Sequence, residues 1–168
     1  MAFVGNATRC YGYDCDLQNR KLRFSSPVAF QEHWRFKYLF DLDGAGFSRR
    51  FLHFLESRSL VFRVAAFRQW FDERLTAWVH FVPVDGRLLD VWDLLAYFGG
   101  TRTNVEKGHT VEAEKIAGDG RKQAAQVLRK EDMEVYMFRL LLEWGRIVDD
   151  QRNEMGFVQH RPNDGGIR

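Results

Sequence analysis

The sequence has little of what marks a metal-stapled, membrane-spanning or nucleic-acid-binding chain. Its 168 residues include two cysteines, Cys10 and Cys15. Two sulfurs cannot complete a structural zinc site, and no histidine pair stands near them at ligand spacing. Two readings stay open: a local disulfide in an oxidising compartment, or two free thiols. The neighbouring Asp14 and Asp16 raise a thiol pKa and argue against a reactive thiolate. A large charge of one sign is also missing, since Lys+Arg 25 against Asp+Glu 23 leaves +2. Residues 1–75 hold 12 basic and 8 acidic side chains and the remainder 13 and 15. That division excludes a duplex-binding surface, while the front half can still host a small anionic group. No apolar run reaches the roughly 18 residues of a spanning helix. Met1 to Gly5 has no basic start and no long apolar stretch, so it is not a signal peptide. It reads as a buried strand entered at once, as expected of a fragment or a truncated gene product. Internal repeats and low-complexity tracts are absent.

What is present is a core. The chain is 45% hydrophobic and holds 5 Trp, 5 Tyr and 15 Phe, enough for one folded domain and too rich for a disordered chain. Residues 6–26 read as loop, with Asn6, Gly12, Asp14, Asp16 and Asn19 as turn formers. Pro27 opens a short helix through Trp34. Lys37 to Asp43 is an apolar run ending in acids, the pattern of a buried parallel strand. Gly44-Ala45-Gly46 turns the chain into a helix from Phe47 to Glu56. Ser59 to Arg63 is a second strand. Phe67, Trp70, Phe71 and Leu75 fall at helical spacing, and Val79 to Val84 is a third strand. Leu88 to Phe98 is an apolar helix, and Gly99 to His109 a polar loop. Two long helices follow, Val111 to Leu128 and Glu131 to Val148; the second carries Met133, Met137, Leu140, Leu141, Trp144 and Val148 on one stripe. Trp and Phe positions in the helices are taken as core. From Asp149 the chain turns polar, and Pro162 to Arg168 reads as a frayed tail. Alternating strands and helices predict an α/β fold, a Rossmann-like parallel sheet flanked by helices.

In such sheets ligands bind beyond the carboxyl ends of strands. The turn after Lys37–Asp43 lies there. Gly44 and Gly46 admit close backbone approach, and the first turn of the next helix offers N–H groups to an anion. Ser48 adds a hydroxyl. Arg49 and Arg50 oppose the helix dipole at that end, and a phosphate or diphosphate would explain them. The plainer reading is a tight turn with solvated arginines. A dinucleotide fingerprint is excluded: position 49 is Arg where the third glycine belongs, and no acid ends the next strand. Asp41-Leu42-Asp43-Gly44 resembles the first motif of haloacid-dehalogenase-like phosphatases, where the first Asp is the nucleophile and Mg²⁺ assists. Ala45 replaces that family's threonine, and Asp149-Asp150 ends a helix where its acidic pair should end a strand.

The continuous text is more specific. Residues 37–51, KYLFDLDGAGFSRRF, resemble the signature of glycosyltransferase family 90, the capsule-associated and protein O-glucosyltransferase family. Ser59–Phe62, Trp78–Val84, Ala113–Ala117, Glu131–Met133 and Tyr136–Glu143 agree in order and spacing, and Phe3 through Cys10 fits too. The resemblance implies that residues 1–150 are the nucleotide-sugar-binding half of a two-domain GT-B enzyme, followed by a polar tail, 151–168. It implies inverting, metal-independent transfer from UDP-xylose or UDP-glucose to a glycan or protein hydroxyl, with no further cofactor. It implies a Golgi or endoplasmic reticulum lumen setting, for which this chain carries no targeting signal. The donor-binding positions it implies are Ala45, Gly46, Phe47, Ser48, Arg50 and Gln69, with Arg50 stabilising the leaving diphosphate. Departures from the family pattern are Ala45 for Asn, Arg49 for Gly, Gln69 for Glu, and Val4 where animal relatives often carry Arg. The amino-terminal half, which in the family supplies the acceptor site and the base, is absent from the resemblance, so this half is expected to be inactive alone. A non-catalytic remnant is the second reading and the phosphatase a third. Asp41 and Asp43 are assigned to the strand end and turn. His80, alternating with Val79 and Phe81, is expected to point away from the core, and His33, His53, His109 and His160 to be solvated.

Overall fold

A computed structural model describes residues 10–22, 24, 26, 28–101, 107–152 and 154. Among them the chain forms an α/β unit around a three-stranded parallel sheet. The strands are β1 (Tyr38–Leu42), β2 (Leu60–Val64) and β3 (Val82–Pro83), in that spatial order. Tyr38 pairs with Leu60 and Asp41 with Arg63; on the other side Phe62 pairs with Val82. The helices are α1 (Tyr13–Leu22), α2 (Phe51–Glu56), α3 (Val91–Gly99), α4 (Thr110–Val127) and α5 (Lys130–Val148).

Alternation along the strands splits the core into two layers. Leu39 and Val61 face α2, where Phe51, Phe54 and Leu55 join Phe71, Leu75 and Ala124. Leu60 and Phe62 face the other way, onto Val82, Val91, Phe98, Ala113 and Ile116. Because both faces are covered, β2 is buried from Leu60 to Arg63 and has no polar side to alternate. Phe62 stacks on Phe40 at 4.8 Å and meets Phe98 edge-on at 6.0 Å. Each fully buried side chain of this kind contributes about 2 kcal/mol. α4 serves both layers, through Ala124 in one and Ala113 and Ile116 in the other.

Several expectations are corrected. Residues 13–22, read as loop, form α1, with Asp14 and Asp16 in the first turn and Arg20 and Lys21 in the last. Those acids complement the helix dipole rather than mark turns. Cys10 and Cys15 are joined in a disulfide, with Cα atoms 5.3 Å apart, which closes the free-thiol reading. The helix expected from Phe47 begins only at Phe51; before it, Ser48 N–H donates to Asp43 and Arg50 N–H to Ser48 Oγ. The helix expected over 67–75 is a turn with a short 3₁₀ segment at Asp72–Arg74. The Asp72 carboxylate accepts Gln69 N–H and pairs with Arg63, ties that hold the segment against β2. Phe71 and Leu75 are nonetheless buried.

The third strand is shorter than expected. Residues 76–80 form a tight turn, with Trp78 at φ 66° and His80 N–H donating to Thr76 O. His80 is half-buried, its Nδ1 accepting Thr76 N–H, and burial holds its pKa below the usual imidazole value. The helix read as opening at Leu88 begins at Val91, with Leu88 itself at φ 59°. The short helix read to Trp34 is a 3₁₀ segment, Phe30–Arg35. The clearest departure is α5, whose apolar stripe is not core: none of its residues is buried, and Trp144 is 65% exposed. The strand expected at residues 1–5, Pro27, part of the polar loop (102–106) and the tail (155–168) lie outside the described residues. Among the described residues, no helix is long and apolar enough to cross a membrane.

Candidate functional site

The parallel order brings the carboxyl ends of β1 and β2 to one edge. β1 leads into residues 43–50 and β2 into residues 65–71. Asp41 and Asp43, two apart on β1 and its extension, behave differently. Asp41 is 1% exposed. It accepts a hydrogen bond from the Ser48 hydroxyl, and Arg50 Nε lies 3.6 Å from the same oxygen. Burial raises its pKa; the Ser48 bond and the charges of Arg50 and Arg63 work against that. Asp43 accepts three backbone N–H groups: Ser48 at 2.8 Å, Ala66 at 2.9 Å and Phe67 at 3.2 Å. Burial pushes its pKa up, but those bonds and Arg63 outweigh it and hold the group below the usual carboxylate value.

Arg63 is the buried cation behind this edge. Its guanidinium lies 4.2 Å from the centre of the Phe51 ring and 5.4 Å from that of Phe71, and pairs with Asp72 at 2.8 Å. The other Asp72 oxygen accepts Gln69 N–H at 2.8 Å. Arg63 therefore reaches the second loop through Asp72. Its Nε and Nη2 have no hydrogen-bond partner among the described residues.

In front of these groups opens a cavity of about 440 Å³. Phe47, Ser48 and Arg49 form one wall, Arg68, Gln69 and Trp70 the other, and Met133 of α5 contributes beside Leu52 and Phe71. A smaller hollow of about 230 Å³ shares Arg68, Gln69 and Trp70 and adds Glu73 and Tyr136. Gln69 Nε2 is buried without a hydrogen-bond partner among the described residues, so the amide has a donor to offer. Arg68 is tied to Glu73 at 3.0 Å, both exposed.

Of the residues read from sequence, Phe47, Ser48, Arg49 and Gln69 meet in this cavity. Ala45 and Gly46 lie on the exposed turn leading to it. Arg50 does not line it: the guanidinium turns back, donating from Nη2 to Leu42 O at 2.9 Å. The N–H groups expected to cradle an anion are partly occupied, Ser48 N–H by Asp43 and Arg50 N–H by Ser48 Oγ at 3.3 Å. Sequence reading missed Arg68, Trp70 and Met133 as cavity residues. The supposed helix over 67–75 hid the first two, since a helix would have turned them onto separate faces. Asp41, the nucleophile of the phosphatase reading, is sealed from solvent. Among the described residues no three His, Cys, Asp or Glu side chains gather as a metal centre.

Two guanidinium groups, an unpaired amide and three aromatic rings thus line a cleft at the sheet's carboxyl edge. Comparison with known proteins gives the class: the chain is related to glycosyltransferases. It belongs to glycosyl transferase family 90, whose match runs over residues 6–155. It is 33% identical over 127 residues to an O-glucosyltransferase rumi homolog of Aedes aegypti, covering 74% of this chain and 30% of that protein. It is 32% identical over 125 residues to protein O-glucosyltransferase 1 of Rattus norvegicus and 31% identical over 125 to that of Homo sapiens, with the same coverage of 74% and 30%. The chain thus spans about 30% of the length of the relatives it matches.

Proposed function

We propose that this chain is the donor-binding part of a family 90 glycosyltransferase and holds a UDP-sugar of the UDP-glucose or UDP-xylose class. The observation that carries this reading is the cavity at the carboxyl edge, where Ser48, Arg49, Arg68 and the unpaired Gln69 amide lie between Phe47 and Trp70. The aromatic rings suit the faces of a base or sugar, and the guanidinium groups suit a diphosphate. The names of the relatives, O-glucosyltransferases, support a hydroxyl acceptor.

In inverting transfer, the acceptor oxygen forms a bond to the anomeric carbon while the bond from that carbon to the UDP oxygen breaks. The acceptor proton goes to a base, which the reading assigns to a part of the enzyme outside this chain. Within the chain, Ala45 to Ser48 form the diphosphate turn. Arg50, released from Leu42 O, neutralises the charge that grows on departing UDP, a task that needs no metal ion. Residues 1–150 are then the donor-binding unit of a GT-B enzyme and 151–168 its polar tail. The Cys10–Cys15 disulfide supports a setting in the secretory lumen.

Calorimetric titration with UDP tests the reading. The expected result is binding between about 10 μM and 1 mM, indifferent to Mg²⁺ and weakened about tenfold in Arg68→Ala and Arg50→Ala. No heat and no thermal shift at high UDP would leave a folded, non-binding remnant as the better account.

A further inference from the structure

We propose that Asp43 is a positioning residue that sets the distance between the two walls of the cavity; the proposal rests on the donor-site reading above. The walls belong to separate loops, residues 43–50 after β1 and residues 65–71 after β2. Asp43 joins both. One carboxylate oxygen accepts Ser48 N–H at 2.8 Å on the first wall. The other accepts Ala66 N–H at 2.9 Å and Phe67 N–H at 3.2 Å, at the start of the second. Asp43 is itself fixed, its own N–H donating to Val64 O at 3.2 Å and so extending the β1–β2 ladder by one rung. The carboxylate is a clasp mounted on the sheet, with one arm in each loop.

The clasp has a chemical requirement. Its contacts are all N–H donors, so both oxygens must accept. An asparagine of nearly the same volume presents one acceptor and one NH₂, which faces a donor on one side or the other. Whichever way it turns, one wall is released. Ser48 and Phe47 then move relative to Arg68, Gln69 and Trp70, and a ligand contacted by both walls loses affinity although Asp43 does not touch it.

The test uses the full chain as wild type, Asp43→Asn and Asp43→Ala, with two readouts. Amide hydrogen exchange reports the clasp without any ligand. Ser48, Ala66 and Phe67 are expected to exchange about tenfold faster or more in Asp43→Ala, while Leu39 and Val61 in the sheet stay protected. Asp43→Asn is expected to release one loop and hold the other. UDP titration reports the consequence: affinity falls about tenfold in both variants, read well below the melting temperature of each. Acceleration confined to one loop in Asp43→Ala would overturn the coupling. Unchanged UDP affinity alongside fast exchange at all three amides would overturn the positioning role. If wild type itself does not bind UDP, the donor-site reading and the positioning role fall together, while exchange still decides the clasp. If Asp43→Ala does not fold, Asp43→Asn carries both readouts, and acceleration in neither loop, or unchanged UDP affinity with one loop released, would overturn the proposal.

Discussion

α4 and α5 are consecutive helices of 18 and 19 residues, and both carry an apolar stripe at the same spacing. α4 buries Ala113, Ile116, Ala117, Gly120 and Ala124. α5 buries nothing, although Met133, Met137, Leu140, Leu141 and Trp144 are larger and more hydrophobic. Small side chains let a helix axis approach the sheet; large ones need a surface shaped to receive them. The contacts fixing α5 are at its start: Arg74 reaches Asp132 at 3.5 Å and Trp70 meets Tyr136 at 5.9 Å. The remainder of its stripe faces outward. Hydrophobic periodicity reports which side of a helix prefers company, and says nothing about whether this chain supplies it.

The contrast can be broken most directly with paired truncations. Phe62→Ala in the sheet core is expected to cost about 4 kcal/mol, whereas Trp144→Ala on α5 changes stability by less than about 0.5 kcal/mol. Urea unfolding measures both, and a large loss in Trp144→Ala would show that α5 is covered. Next come two glycines of α4. A Cβ at Gly120 would lie 2.2 Å from His80 O, while one at Gly118 meets nothing within 4 Å. Gly120→Ala is expected to destabilise by about 3 kcal/mol, and Gly118→Ala to stabilise by up to about 1 kcal/mol. Equal melting shifts in the two variants would mean α4 sits farther from the 76–80 turn.

The smallest effect sharpens the same lesson within one strand end. Asp43 has a folded pKa below its unfolded value, so it adds stability above the unfolded value and loses it as pH falls through the lowered one. Asp41 has a raised pKa, so stability falls as pH climbs from the unfolded value to the raised one. Unfolding midpoints between about pH 2 and 6 should therefore show a shallower acid limb in Asp43→Asn, with Asp132, also held low, keeping part of it, and no decline above about pH 4 from this group in Asp41→Asn. An unchanged acid limb in Asp43→Asn would contradict its three N–H bonds.

Much of the frame was legible because burial on both sides leaves a plain mark: β1 and β2 were apolar runs, and α4 and α5 opened within one residue of their expected starts. The 67–75 segment was not, because Phe67, Trp70, Phe71 and Leu75 imitate helical spacing while tertiary ties, Phe67 N–H to Asp43 and Arg63 to Asp72, hold the segment as a turn. α1 was hidden by acids that serve equally in turns and in first helical turns. Of the candidate site, Phe47, Ser48 and Gln69 were readable through the family resemblance. Arg68, Trp70 and Met133 were not, since their meeting is a product of tertiary packing. Nor did spacing show that Arg50 folds back onto β1, or that Asp43 takes the Ser48 amide.

The Gly120 contact also fixes how far α4 can slide. Moving the helix along its axis by one turn would bring Ile116, Ala117, Gln123 or Ala124 opposite the His80 carbonyl, and each of these carries a Cβ. No neighbouring turn offers a second gap on that face. The missing side chain thus works as a notch: it admits one axial setting of α4 against the sheet and rejects the adjacent ones, so a residue with no atoms to contribute selects the register in which both core layers close.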